Sequence, residues 1–305
     1  MKVLDHRLAF FSCLLTALTI GLTGYSALSI AQPSTSSSAS GSNVSQPFGG
    51  IRQPAEAAAP TANGPAAASE LAAKLTNPVA DLISVPFQFN WNGGLGLDRK
   101  GSGFDMVVQP VVPLKLNSNW NYIVRPVVTL GVQNNVNGYS GSGAGPVLVE
   151  TFLSPKTDSK FVWGVGPVVS TPALSGNRWG TAQTGAGVTA VGLYMNKPWT
   201  VGLLAYQTWD VGGSPEAGTA NNTYWQPFLA YVTSNAWTFS LNTQSSFNWD
   251  SRRSQNPLNF SVSKLTHWGK LPVSLELGGR YFLSSVPGGA SGWGVRAQIT
   301  FLLPE

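Results

Sequence analysis

Charge is scarce in this chain: Asp, Glu, Lys and Arg make up 10% of its 305 residues, where soluble proteins carry about 25%. Histidine is almost missing, with His6 and His267 alone. Cysteine is represented once, by Cys13, inside an N-terminal segment expected to be removed. A processed chain then has no disulfide framework, thiolate metal site or cysteine nucleophile. Long apolar runs are lacking too, since none beyond the N-terminus reaches the ~18 residues a membrane helix needs. Yet the hydrophobic share is an ordinary 43%. Apolar residues are therefore spread thinly over many short segments. A membrane β-barrel has that composition, because its strands turn alternate side chains to lipid and to lumen. The formal net charge of +5 comes from dispersed Lys and Arg, whereas nucleic-acid binders gather theirs in clusters, so no nucleic-acid partner is expected.

What is present begins with an export signature. Lys2 and Arg7 precede an apolar stretch from Leu8 to Leu22, and Ser29-Ile30-Ala31 supplies small residues at the two positions that signal peptidase reads. Residues 1–31 are expected to be a signal peptide cleaved after Ala31. Most of the apolar run follows Cys13, which argues against a lipoprotein. Residues 32–68 are rich in Ser, Ala, Pro and Gly without an apolar period, and are expected to form a disordered tether. Ser69 to Leu75 reads as a short helix with Ser69 as N-cap, stopped by Asn77-Pro78. Val79 to Ile83 could add a turn. This 69–83 segment would either plug a lumen or guide the chain into the first strand.

From Ser84 onward the period is two. Trp237, Phe239 and Leu241 alternate with Thr238, Ser240, Asn242 and Gln244. Trp293, Val295, Ala297, Ile299 and Phe301 alternate with Arg296, Gln298 and Thr300, and Val273, Leu275, Leu277 and Tyr281 with Ser274, Glu276 and Arg280. Such alternation marks strands with one apolar face. Tight turns at 117–119, 155–159, 196–198, 234–235 and 269–270 interleave with Gly/Ser/Asn-rich loops near 98–102, 133–145, 172–179, 211–222, 249–256 and 284–291. The pattern predicts an all-β fold: a closed antiparallel transmembrane barrel of about twelve strands over residues 84–305, with both termini on the periplasmic, short-turn side.

Tryptophan placement separates this reading from a soluble sandwich. Trp120, Trp199, Trp237 and Trp268 sit in or beside short turns, and Trp179, Trp209, Trp225, Trp249 and Trp293 near the longer loops. Only Trp91 and Trp163 lie nearer strand interiors. A soluble core would draw the rings inward, whereas two belts at the strand ends match lipid headgroup levels.

Several motifs point to a family. Residues 77–88 (Asn77-Pro78-Val79-Ala80-Asp81-Leu82-Ile83-Ser84-Val85-Pro86-Phe87-Gln88), Gln109-Pro110-Val111-Val112-Pro113, Asn119-Trp120-Asn121, Gly164-Val165-Gly166-Pro167 and the ending Phe301-Leu302-Leu303-Pro304 resemble a bacterial outer-membrane family. Its members are described as transporters of the meta-pathway of phenol degradation, and some carry the label neuromedin-U-like. The resemblance covers roughly residues 70 to 305 and implies an outer-membrane barrel with a transport function. It brings no catalytic residues, and the long 32–68 tether departs from it.

Candidate chemistry is correspondingly thin. Barrel lipid hydrolases activate a serine with a base, typically histidine; His6 leaves with the signal and His267 falls in a predicted turn. No metal-ligand spacing and no phosphate loop is found, so no enzyme, cofactor or metal is expected. Alternation places Arg125, Glu150, Glu276, Arg280 and Arg296 in the lumen, and closure of the first strand on the last adds Asn90 and Asn92. These form either a bracing ion-pair network or a selectivity patch for an anionic or polar solute. Twelve strands lie between a filled eight-stranded barrel and an open sixteen-stranded pore. The expected function is selective passage of small solutes, aromatic or hydrophobic compounds included, across the outer membrane. The alternative is an anchoring barrel that binds a periplasmic partner through residues 32–68.

Overall fold

The computed structural model describes residues 64–213 and 218–303. The expected signal peptide, and the expected tether up to residue 63, lie outside them. A helix, α1 (Pro65–Leu75), precedes fourteen strand segments: β1 (Ile83–Leu95), β2 (Gly101–Val108), β3 (Val112–Lys115), β4 (Trp120–Val136), β5 (Tyr139–Pro155), β6 (Phe161–Ser170), β7 (Gln183–Asn196), β8 (Trp199–Gly213), β9 (Asn222–Val232), β10 (Trp237–Thr243), β11 (Ser245–Asn248), β12 (Arg253–Trp268), β13 (Leu271–Ser284) and β14 (Gly292–Leu303).

Two pairs of segments are single strands with a break. β2 and β3 both pair with β4, interrupted at Gln109-Pro110-Val111, where Pro110 has no N–H to give to the ladder. β10 and β11 both pair with β9 and β12. Twelve antiparallel strands result. β14 pairs with β13 on one side and with β1 on the other, in a register that sets Asn90 against Arg296. The sheet therefore closes on itself, as the alternation predicts, and no edge is left to expose backbone groups.

The barrel is inside-out relative to a soluble protein. Gln88, Asn90, Glu150, Thr189, Asn259 and Thr300 are buried, while Val201, Leu203, Phe239, Leu241, Leu277 and Val295 are exposed. Soluble monomers rarely present apolar surface so continuously; a lipid-facing wall must.

Two differences from the sequence expectation have local causes. The helix starts at Pro65, with Gly64 as N-cap, four residues before the expected Ser69 cap. Proline is preset for the first helical position, where no N–H is needed, and Ala66, Ala67 and Ala68 are strong helix formers that extend the helix into the expected tether. The Gly/Ser-rich stretch 133–145 is not a loop: β4 and β5 run through it to a hairpin turn at Asn137-Gly138. Both turn residues have positive φ, 53° and 78°, the type I′ geometry that Asn-Gly favours and that matches strand twist. Backbone pairing sustains this extension with few apolar side chains, Val136 and Ala144 being the buried ones. The expected 249–256 loop likewise shrinks to the turn between Asn248 and Arg253.

Candidate functional site

The lumen is narrowed at the short-turn end by the chain's own N-terminal segment. Ala72 and Ala73 of α1 pack on Val232, Ala236, Leu265 and Leu302. The turn after the helix inserts Val79 among Ile123, Phe152, Val191, Leu193 and Leu204, all inward-facing and buried. Thr76 Oγ1 lies 2.9 Å from Thr200 Oγ1. The segment thus packs against inward-facing side chains at the short-turn end of the barrel.

Above this segment the wall carries a polar layer. The guanidinium of Arg125 donates from Nη1 to Glu150 Oε2 at 2.8 Å and from Nη2 to Gln109 Oε1 at 2.7 Å. Glu150 is 1% exposed, and its other carboxylate oxygen accepts from Thr189 Oγ1 at 3.1 Å. Gln109 continues the inward-facing row of Gly103, Asp105 and Val107, just before the break at Pro110. Beside the pair, Tyr206 and Tyr224 stack with ring centroids 4.9 Å apart, and the Tyr224 hydroxyl donates to Gln226.

A second group continues the layer around the wall. Arg296 donates from Nε to Asn90 Oδ1 at 2.9 Å and from Nη2 to Gln244 Oε1 at 2.6 Å. Asp105 accepts from Asn90 Nδ2 at 2.6 Å and from Asn92 Nδ2 at 3.1 Å. Glu276 stands between Ser263 of β12 and Gln298 of β14 in the sheet. Arg280 stands apart: its guanidinium lies 5.0 Å from the centroid of the Phe282 ring, and its Nε is buried without a hydrogen-bond partner.

Two cavities flank the layer. The one on the loop side, about 490 Å³, is lined by Asn92, Asp105, Arg125, Glu150, Trp179 and Arg280 among others. The one on the helix side, about 230 Å³, is lined by Lys74, Thr76, Arg125, Glu276, Gln298 and Thr300 among others. Arg125 and Gln109 border both.

Of the seven residues expected in the lumen, Asn90, Asn92, Arg125, Glu150 and Arg280 line the loop-side cavity and Glu276 the helix-side one, while Arg296 is buried against Asn90 and Gln244; they do not form one cluster. Arg125 and Glu150 form an ion pair. Asn90 binds Arg296, as strand closure requires. Arg296 lies opposite Gly278 and Glu276 opposite Gln298; Glu276 faces the helix-side cavity and Arg280 the loop-side one. Asp105, Gln109, Gln244 and the Tyr206–Tyr224 stack are members of the site that the sequence pattern does not single out. Asp105 is detectable in principle, since it alternates with Phe104 and Met106; Gln109 is hidden by the break after it.

The tryptophans divide differently from expectation. Trp199, Trp209, Trp237, Trp249, Trp268 and Trp293 are exposed on the outer wall. Trp163 packs edge-on against Trp120 with centroids 6.1 Å apart, so it joins the short-turn end. Trp179 is a correction: its indole lies inside the loop-side cavity. It rests on Gly131 and Gly143, where a Cβ would come within 2.7 Å and 2.2 Å of the ring. A loop has no period to reveal the direction of a side chain, and the missing side chains of the two glycines leave room for an indole.

No protein-family model matches the chain, and no curated protein matches its sequence. Solved structures share the architecture. An outer membrane channel from Pseudomonas putida F1 aligns with a TM-score of 0.54 at 10% identity, over 73% of this chain and 96% of that one. The NanC porin aligns with a TM-score of 0.46 at 11% identity, over 73% of this chain and 100% of that one. Outer membrane phospholipase A from Escherichia coli aligns at 0.45 and 13% identity, over 72% and 90%. The phospholipase corrects one expectation. A lipid hydrolase is among the matched structures, so the expectation that this chain is not an enzyme is withdrawn, and the barrel architecture by itself indicates neither outcome. At these identities the likeness speaks for the fold, and the chain has the barrel fold of bacterial outer-membrane proteins.

Proposed function

We propose that this chain is an outer-membrane channel for small solutes, partly closed at its short-turn end by α1 and the turn that follows it. The carrying observation is the sequence of spaces along the lumen: a loop-side cavity, a polar layer at Arg125–Glu150, and a smaller cavity against α1. A barrel that served only as an anchor needs no such chain of polar-lined spaces. The apolar outer wall supports insertion in lipid, and the exposed tryptophans toward both ends support contact with headgroups. Export with cleavage after Ala31 belongs to the same reading. The resemblance to phenol-degradation transporters supplies a solute class to try, small aromatic compounds.

Conductance tests the reading. In planar bilayers the purified protein is expected to give small, fluctuating single-channel currents. Deleting residues 64–76 removes the packing of α1 and is expected to raise the unit conductance several-fold. If neither protein conducts, the channel reading fails and the anchoring alternative takes its place.

A further inference from the structure

We infer that the loop-side cavity holds a binding site for a small carboxylate bearing a neighbouring hydroxyl, with Arg280 as its anchor. The inference deepens the channel reading, on which it rests for how the solute arrives. Three arginines face the lumen, and two are satisfied by the protein. Arg125 has a carboxylate and an amide; Arg296 has two amide oxygens. Arg280 is 7% exposed, makes no ion pair within 4.0 Å among the described residues, and leaves its Nε without a partner. Its one named contact is the face of Phe282. A guanidinium withdrawn from water and left unpaired is costly, and its planar fork matches a carboxylate edge to edge. The nearby acid does not take the fork itself: Asp105 is hydrogen-bonded to Asn90 and Asn92 and acts on Arg280 only through space, outside ion-pair distance.

The second polar group is next to it. Arg280 and Asn92 lie on either side of Gly294, which pairs with both. A Cβ on Gly294 would sit 2.9 Å from Arg280 Cγ and 3.0 Å from Asn92 Oδ1, so the glycine is what lets the two side chains close on one another. Asn92 donates to Asp105 through Nδ2, but its Oδ1 is buried with no donor. The cavity thus offers one unmatched cationic donor and one unmatched neutral acceptor in a single row across β13, β14 and β1. A carboxylate on Arg280 with a hydroxyl on Asn92 Oδ1 satisfies both.

Saturation-transfer NMR on the full chain in detergent, with lactate as probe, tests this. Lactate is expected to bind more tightly than methyl lactate, which lacks the charge, and several-fold more tightly than propionate, which lacks the hydroxyl. Arg280→Gln is expected to weaken lactate binding about tenfold to a hundredfold, the worth of hydrogen bonds to a charged group, Arg280→Lys to recover part of it, and Lys100→Gln in the exposed β1–β2 loop to change nothing. Equal affinity for lactate and methyl lactate, or an Arg280→Gln protein that binds lactate like the parent, overturns the site. Equal affinity for propionate overturns the role of Asn92. Bilayer currents from the same preparation separate the two readings: binding without conductance keeps the site and removes the channel, and conductance without discrimination does the reverse.

Discussion

Arg125, Arg280 and Arg296 share one lumen and one residue type, yet their surroundings give them different energetic roles. Arg125 faces a carboxylate that is almost wholly removed from water, so deleting its charge strands Glu150. Arg125→Gln is expected to destabilise the barrel by about 3–5 kcal/mol, the usual consequence of breaking a buried pair from one side. Arg280→Gln removes a buried charge that makes no ion pair among the described residues, and is expected to leave stability within about 1 kcal/mol of the parent, because the lost charge was itself costly to bury. Denaturant unfolding of the two variants in lipid vesicles checks the contrast. Equal losses would make Arg280 a brace, as Arg125 is.

Strands carry their information in alternation, and β10 shows the consequence. Leu241 is exposed on the outer wall, while its neighbour Asn242 faces the lumen and accepts from Asn259 Nδ2 at 3.0 Å. Leu241→Arg is expected to cost about 2–4 kcal/mol where the residue lies near the bilayer midplane. Asn242→Arg gives up one hydrogen bond, about 1 kcal/mol. Reversible unfolding of both variants checks the register, and a larger loss for Asn242→Arg would invert it. The same alternation makes most strands legible in the amino-acid sequence, together with the lumenal direction of Arg125, Glu150, Glu276, Arg280 and Arg296. Three features are not legible in it. Gly- and Ser-rich strand tips look like loops because their pairing rests largely on backbone groups and small polar side chains, which leave no apolar period. The helix start at Pro65 is masked by a polar, alanine-rich context. Gln109 sits at a proline break, where the period lapses.

At the scale of the whole molecule, closure joins residues remote in sequence. Asn90 meets Arg296 only because the first strand pairs with the last, so that part of the polar layer cannot form until the barrel has closed, whereas Arg125 and Glu150 meet across the adjacent strands β4 and β5. The seated helix adds an ordering constraint of its own, since Val79 reaches its pocket only when β4, β5, β7 and β8 already surround it. Twelve strands would leave a wider bore than the cavities suggest; the difference is taken up by α1 at one end and by Trp179 at the other.

The seat of Trp179 has a consequence for the calibre of the passage. The indole lies flush with the wall because Gly131 and Gly143 contribute no side chain beneath it, so the width at that level is set by two missing methyl groups. Gly143→Ala adds one carbon to the wall, yet it is expected to narrow the passage by far more than that carbon's volume, because it lifts a whole indole toward the axis. Single-channel conductance should fall in this variant while the Arg125–Glu150 layer stays intact, and an unchanged current would mean that Trp179 leaves the lumen in the open state. In the channel proposed above, the aperture would be gauged from behind, by atoms that a permeating solute never touches.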